Sequence, residues 1–304
     1  MKSINQFRFV DHPWISFWAL LGLIVVSMML SATVVFGLLR LSPDAPSGQF
    51  VQSLFGHIVL VFLFVPFLLR LPRGKRSFVE YLQDIGLTKV RPFFQLVLIT
   101  ISCYIILAFC QSLGPIVYRY AEGKSITGEF VASVVDIRSE LPPQSMSIFT
   151  SLPSMFEEIV FRGILLTFFL QKFSTRRAIV YSSFGFSVVH ALNMLGGRDP
   201  VWVAGQIVWS FELGLFYGYL FVRTASLLPN MLFHYLSNVF VGSFNHYLQS
   251  TASIETQALY GVIFTFGALP TTLMIVWTRF YTTRWPFAGR PTGIDPESSA
   301  KDAA

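Results

Sequence analysis

The stretch Phe156-Glu157-Glu158-Ile159-Val160-Phe161-Arg162 places two carboxylates and a guanidinium inside an apolar run over residues 146–173. That run is long enough to cross a bilayer, which takes about 20 residues. On insertion scales, a charged side chain at the centre of a membrane costs roughly 2.5–3.5 kcal/mol. We therefore expect these three charges to pair with one another, to face a cavity, or to take part in chemistry.

The composition of the chain is typical of a membrane protein. Of its 304 residues, 53% are hydrophobic and 12% are charged, and this charged share is about half that of a soluble domain. Apolar runs of span length recur from end to end, which predicts an all-α fold, a polytopic transmembrane helical bundle. About eight spans fit best, at residues 15–40, 53–71, 93–118, 146–170, 177–195, 201–222, 227–247 and 258–280.

The domain organisation follows from the same runs. We expect a single bundle over residues 1–285, with a catalytic core at about 146–247. The segment 286–304 is rich in Pro, Gly, Ser and Ala and is predicted to be a disordered cytoplasmic tail. The first apolar run is too long for a cleaved signal peptide and is predicted to remain as the first span.

The basic residues indicate how the bundle is oriented. Between the predicted spans, sixteen of the 22 lysines and arginines fall on one side and five on the other, and Arg162 lies within the membrane. Basic loops stay in the cytoplasm, so both termini are predicted to be cytoplasmic. The net charge of +6 comes from short loops between spans. We therefore expect a lipid bilayer as the partner and no nucleic acid.

The predicted fourth span separates its two carboxylates. On an α-helix, Glu158 and Arg162 form an i,i+4 pair on one face, and Glu157 is rotated by about 100° from Glu158. One carboxylate is then neutralised and the other is not, which gives the two proton affinities that acid–base catalysis needs. Glu212 in the sixth span is a second candidate partner for Arg162 or a supporting residue. Pro153, one turn before Glu157, is expected to bend the fourth span.

Two other predicted spans carry polar side chains at the same depth. His190 follows Phe186 by one turn in the fifth span, and His234 and Asn238 are an i,i+4 pair in the seventh. At about 1.5 Å per residue, Glu157 and His190 lie roughly 20 Å from the cytoplasmic end, with Asn238 close to that depth. The remaining histidines are predicted to be structural or interfacial: His12, His57 and His246. Gly214 and Gly218 form a small-xxx-small pattern, which predicts close helix packing.

This layer of polar side chains suits two ways of activating water. In the first, Glu157 and His190 deprotonate a water that attacks a peptide carbonyl, and His234 and Asn238 stabilise the oxyanion. In the second, Glu157, His190 and His234 hold a metal ion such as zinc, which activates the water. The usual His-Glu-x-x-His motif is absent, so we favour the scheme without a cofactor.

Two hypotheses for the polar layer that involve no peptide hydrolysis also remain open. In the first, the polar layer only locks helices together or binds a partner, as in a non-catalytic membrane scaffold. In the second, buried Glu and His side chains form the proton relay of a transporter. The sequence lacks the internal repeats that transporters commonly show, which disfavours the second reading.

Three motifs in order carry a family resemblance. Glu157 to Arg162 matches Glu-Glu-x-x-x-Arg, Phe186 to His190 matches Phe-x-x-x-His, and His234 to Asn238 matches His-x-x-x-Asn. Together they resemble the family of CAAX proteases and bacteriocin-processing enzymes (CPBP), also called the abortive-infection family. The resemblance covers about residues 153–241.

The resemblance implies an intramembrane endopeptidase related to the type II CAAX prenyl proteases. In such a protein Glu157, the first of the paired glutamates, is catalytic, together with His190, His234 and Asn238. Family members are described as glutamate-type enzymes and were earlier regarded as metalloproteases. The implied substrate is a membrane-associated peptide or a lipidated protein. Because bacterial relatives are tied to bacteriocin maturation or self-immunity, the alternative is a self-immunity protein. The expected location is the bacterial inner membrane, which the chain would cross several times.

Overall fold

The computed structural model of the protein describes residues 12–68, 78–121, 123–129, 151–251 and 268–287. All regular structure in these residues is helical, which confirms the predicted all-α class. Nine helices, numbered in chain order, make up this part: α1, Pro13–Ala32, extended by a π-helix over Thr33–Leu38; α2, Pro46–Val59, extended by a π-helix over Leu60–Phe64 and an α-helical turn over Val65–Leu68; α3, Phe78–Asp84; α4, Phe93–Ala121; α5, residues 153–170; α6, Thr175–Val189, extended by a 3-10 helix over His190–Met194; α7, Pro200–Thr224; α8, Leu228–Thr251; and α9, Ala268–Arg284.

Three helical stretches are long and apolar enough to cross a membrane: Pro13–Leu38, Pro46–Phe64 and Phe93–Gln111. They overlap the first three predicted spans, although the second begins and ends seven residues earlier than predicted. Among the described residues, no later helix combines the same length and hydropathy. Two of the later helices illustrate the reason. Helix α5 carries the three charges of the opening stretch, and α6 is too short to cross a bilayer, with 15 residues. The count of eight spans, the side of the termini and the domain limits remain predictions, and residues 288–304 of the predicted tail lie outside the described residues.

Helix α5 differs from the predicted span in two ways. It begins at Pro153 with Leu152 as its N-cap, so the proline occupies the first turn, where its missing N–H costs nothing. The prediction that Pro153 bends a longer helix is therefore wrong. Directly after Glu158 the hydrogen bonding changes to a π-helix over Ile159–Leu166. Segments of this kind occur frequently at functional sites.

Local capping fixes the position of α7. The Asp199 carboxylate accepts hydrogen bonds from the backbone N–H groups of Val201 and Trp202, at 2.9 and 3.0 Å. These bonds satisfy two donors that a helix start leaves free. The helix ends at Ala225, which takes a left-handed conformation with φ 53°. The chain then turns at once into α8, so that α7 and α8 present neighbouring faces to the centre of the protein.

The glycines of α7 let it approach α6 closely. A Cβ atom at Gly214 would lie 2.9 Å from the Cβ of Ser183, and one at Gly218 would lie 2.9 Å from Cγ2 of Ile179. This confirms the close packing that the small-xxx-small pattern predicts. Helix α8 in turn packs against α4 and α5, and α1 packs against α2. The result is a central space bordered by α5 to α8 on one side and by α1 and α2 on the other.

Candidate active site

A cavity of about 330 Å³ lies in that central space. Its wall contains all four predicted catalytic residues: Glu157 from α5, His190 from the 3-10 turn after α6, and His234 and Asn238 from α8. Glu157, His190 and Asn238 are partly buried and His234 is buried. The three sequence motifs therefore meet at one cavity, as the similar depth of their polar residues in the predicted spans indicates.

Glu158 is fully buried, and its carboxylate joins two of the motifs. Oε1 of Glu158 accepts a hydrogen bond from the Arg162 guanidinium at 3.0 Å, which confirms the predicted i,i+4 ion pair. The same oxygen lies 2.8 Å from Nδ1 of His234. Because an ionised carboxylate can only accept, Nδ1 of His234 carries the proton. The other ring nitrogen, Nε2, is then the one that His234 offers to the cavity.

Arg162 is held by aromatic rings as well as by its ion pair. The carbon of its guanidinium lies 4.2 Å from the centre of the Phe186 ring and 4.8 Å from that of Tyr217. Its Nε and Nη2 atoms have no hydrogen-bond partner within the described residues. A planar cation in contact with two rings gains cation–π attraction where water is excluded. Phe186 therefore orients the cation that is paired with Glu158.

Of the two roles predicted for Glu212, a partner for Arg162 or a supporting residue, the first is not found among the described residues. Arg162 has Glu158 as its ion-pair partner, and Glu212 does not line the cavity. In the part of the chain that the structure describes, Oε2 of Glu212 is buried without a hydrogen-bond partner. The i,i+4 spacing within α5 brings Glu158 to Arg162 locally, and Glu212 on another helix is not needed to neutralise the cation.

His190 is oriented by the backbone of its own helix. Nδ1 of His190 lies 2.9 Å from the carbonyl oxygen of Phe186. Since a carbonyl accepts, Nδ1–H donates this bond and Nε2 remains for the cavity. The Phe186 ring meets the imidazole edge-on, with ring centres 5.0 Å apart. The spacing of the Phe-x-x-x-His motif thus provides both contacts.

Two residues of the network were not singled out from the sequence. Asn230 is fully buried, and its Nδ2 donates to the carbonyl oxygen of Tyr217 at 2.8 Å and to Oε2 of Glu158 at 3.4 Å. The ring of Tyr217 stacks on His234 at 5.2 Å. A signal for Asn230 was present, because Asn230, His234 and Asn238 are four residues apart and share one face of α8.

The residues of the alternative metal site do not fit a metal ion. Among residues 12–68, 78–121, 123–129, 151–251 and 268–287, no three His, Cys, Asp or Glu side chains lie together as a ligand set. Glu157, His190 and His234 all line the cavity but do not form such a group.

A comparison with family models agrees with the sequence motifs. Residues 141–240, which are 100 of the 304, match the family model described as Type II CAAX prenyl endopeptidase Rce1-like. No curated protein and no solved structure matches the chain. The matched segment contains all four cavity residues named above. With its three helices of span length, the chain is a multi-pass membrane protein, and its segment 141–240 is a domain of the Rce1-like type II CAAX prenyl endopeptidase family, part of the CPBP family.

Proposed function

We propose that this chain is an intramembrane endopeptidase of the glutamate type, which hydrolyses a peptide bond of a membrane-associated protein or peptide. The family implies an intramembrane peptidase. One observation carries the proposal further, namely that Glu157, His190, His234 and Asn238 line the same cavity. A carboxylate, two imidazoles and an amide around one hollow are the groups that acid–base hydrolysis of a peptide needs.

In the proposed first step, Glu157 and His190 activate a water molecule. Glu157 is partly buried and has no ion pair within the described residues, so its carboxylate is available as a base. His190 presents Nε2 to the cavity because Nδ1–H is bound to the Phe186 carbonyl. The water gives a proton to Glu157 while its oxygen attacks the peptide carbonyl carbon, and His190 holds the water in line.

In the proposed second step, His234 and Asn238 bind the oxyanion of the tetrahedral intermediate. Donation from Nε2–H of His234 requires a protonated ring, since Nδ1–H already donates to Glu158. The carboxylate of Glu158 stabilises that cation, as the aspartate of a catalytic triad stabilises its imidazolium. The intermediate collapses when the C–N bond breaks, and the proton held by Glu157 passes to the leaving amine.

The proposed setting is a lipid bilayer. We propose the bundle with eight spans over residues 1–285, a catalytic core at 146–247, and both termini in the cytoplasm, in the inner membrane of a bacterium. The positive-inside distribution of lysine and arginine supports this orientation. The proposed substrate then reaches the cavity from the membrane or its surface.

Glu157→Gln tests the proposal, because it keeps the shape of the side chain and removes the base. Peptidomics of membranes with and without the wild-type protein identifies the peptides that it releases, and the same peptides are then followed in membranes that contain Glu157→Gln. We expect turnover of these peptides to fall by about 10²–10⁴, the contribution of a general base. Glu129→Gln, at an exposed carboxylate away from the cavity, serves as the control. Cleavage of these peptides by Glu157→Gln at the wild-type rate would exclude Glu157 as the base. The absence of any peptide whose release depends on the protein would favour the scaffold or immunity protein.

Chelation separates the two schemes of water activation. Purified enzyme is incubated with a strong chelator and assayed on a peptide that it cuts. Because the cavity residues do not converge as metal ligands, we expect the rate to be unchanged. A loss of activity that zinc restores would contradict the glutamate scheme.

A further inference from the structure

We propose that α1 and α2 supply a polar wall of the cavity that binds the backbone of the substrate, and that the cavity takes an extended, unlipidated peptide segment. This inference rests on the proposed peptidase function and adds the part of the substrate that enters the cavity. The polar residues of this wall, which we call the N-terminal wall, are Ser27, Ser31, Gln52, Ser53 and His57. All of them lie outside residues 141–240.

Gln52 is fixed in place with one polar atom to spare. Its Nε2 donates to Oγ of Ser31 at 2.9 Å, and that hydroxyl donates to the carbonyl oxygen of Met28 at 2.9 Å. Within the described residues, Oε1 of Gln52 receives no hydrogen bond. Gln52 is only partly buried and lines the cavity. It therefore presents a pre-oriented acceptor for an N–H group.

His57 offers a second acceptor on the same wall of the cavity. Nδ1 of His57 lies 2.7 Å from the carbonyl oxygen of Ser53, so Nδ1–H donates this bond. Nε2 is left without a partner in the described part of the chain. The imidazole ring packs against Phe156 with ring centres 6.3 Å apart. Phe156 directly precedes Glu157 in the sequence, so the His57 ring packs against the residue next to the proposed base.

The side of the cavity formed by α6 and α7 carries a matching amide pair. Nδ2 of Asn193 donates to Oε1 of Gln206 at 2.7 Å, and both side chains line the cavity. This bond leaves the Asn193 oxygen as an acceptor and a Gln206 N–H as a donor. An extended peptide exposes N–H and C=O groups on both of its edges, each of which needs a partner when buried. The two walls together provide such partners.

The N-terminal wall is a poor surface for a lipid chain, although apolar side chains such as Val160, Leu192 and Leu213 line other parts of the cavity. Hydrocarbon cannot form hydrogen bonds with Gln52 or His57. Covering their free polar atoms with it would cost desolvation free energy that no new hydrogen bond offsets. The cavity volume of about 330 Å³ is at the lower end of the range for ligand pockets, roughly 300–1,000 Å³. It suits a short stretch of peptide. A lipid anchor on the substrate, where one exists, would stay outside this cavity.

The test uses two substitutions that keep volume and remove the spare acceptors, Gln52→Met and His57→Phe. Gln49→Ala is the matched control, since Gln49 lies one turn before Gln52 on α2 and is exposed away from the cavity. Membrane peptidomics of the wild type against Glu157→Gln first identifies one released product. A synthetic peptide across that cleavage site is then made in two forms, unmodified and with an S-farnesyl cysteine outside the cut.

We expect the unmodified peptide to be cut. Gln52→Met and His57→Phe should each raise KM for it about three- to tenfold with little change in kcat, the pattern of lost ground-state binding. Gln49→Ala should match the wild type. Cleavage of the farnesylated form alone, or an unchanged KM in both variants, would overturn the inference while leaving the peptidase intact.

Two further outcomes are also decisive. Gln52→Met also loses its bond to Ser31, which joins α2 to α1. If its unfolding temperature falls, His57→Phe decides the matter, because it keeps the ring contact with Phe156 and loses only a bond to the Ser53 carbonyl within its own helix. The absence of any Glu157-dependent product would remove the proposed function itself, and the N-terminal wall would then have no peptide to bind.

Discussion

Two adjacent glutamates of α5 have different surroundings. Glu158 is fully buried between Arg162 and His234, with Asn230 at its other oxygen. Glu157 faces the cavity and is partly exposed. Burial of a charge is tolerated where it is paired and hydrogen-bonded. The pair thus divides into a carboxylate that stabilises the site and one that is available for chemistry.

This division predicts a difference in stability. Glu158→Gln would leave the buried Arg162 cation without its counter-charge, and breaking a buried pair from one side costs about 3–5 kcal/mol. We expect Glu158→Gln to lower the free energy of unfolding by about this amount, measured in detergent with a chemical denaturant. Glu157→Gln, on the neighbouring residue, should change it by less than about 1 kcal/mol. Equal stabilities of the two variants would contradict the assigned surroundings.

At the level of the helices, the small residues of α7 determine how closely it approaches α6, the helix that leads to His190. Gly214 of α7 lies directly against Ser183 of α6, and His190 follows at the end of α6. Any side chain at Gly214 would push the two helices apart. Gly214 therefore affects the shape of the cavity, because it sets the distance between two of the helices that line it.

A pair of glycine substitutions tests this contact. In Gly214→Ala the new Cβ would lie 3.0 Å from the Cα of Ser183, so backbone would have to move; we expect a loss of about 1–3 kcal/mol and reduced activity. In Gly205→Ala, on the same helix, the new Cβ meets nothing within 4 Å, and better helix propensity should stabilise by up to about 1 kcal/mol. Thermal unfolding of the purified proteins compares them. A Gly214→Ala variant as stable as the wild type would contradict the close packing.

For the whole molecule, the distribution of basic residues predicts which loops face the cytoplasm. Lys172, between α5 and α6, belongs to the predicted cytoplasmic set, and Lys124, after α4, belongs to the predicted outer set. Both side chains are exposed. The two native cysteines, Cys103 and Cys110, are free and buried, so they should give a low labelling background.

Single cysteines introduced at these lysines test the orientation. We expect Lys124→Cys to react with a membrane-impermeant maleimide in intact cells. Lys172→Cys should react only after the cells are permeabilised. The reverse pattern would invert the predicted topology, and labelling of both in intact cells would contradict a membrane span between them.

Local spacing allowed part of the site to be predicted from the sequence. The pairing of Glu158 with Arg162 depends only on the geometry of one helix, and the separation of Glu157 from Glu158 does too. The bond of His190 to the Phe186 carbonyl likewise stays within one turn. The hydrophobic runs predicted the all-α class, because an apolar stretch of span length has few other folds available in a bilayer.

The sequence by itself therefore determined which residues are polar in an apolar setting and which of them share a helical face. Only the tertiary structure decided which faces meet. The bond of His234 to Glu158 joins residues 76 positions apart, and His57, which the sequence left as structural or interfacial, lines the cavity. Helical periodicity fixes positions within one helix, whereas the rotation of one helix against another depends on side-chain packing between them.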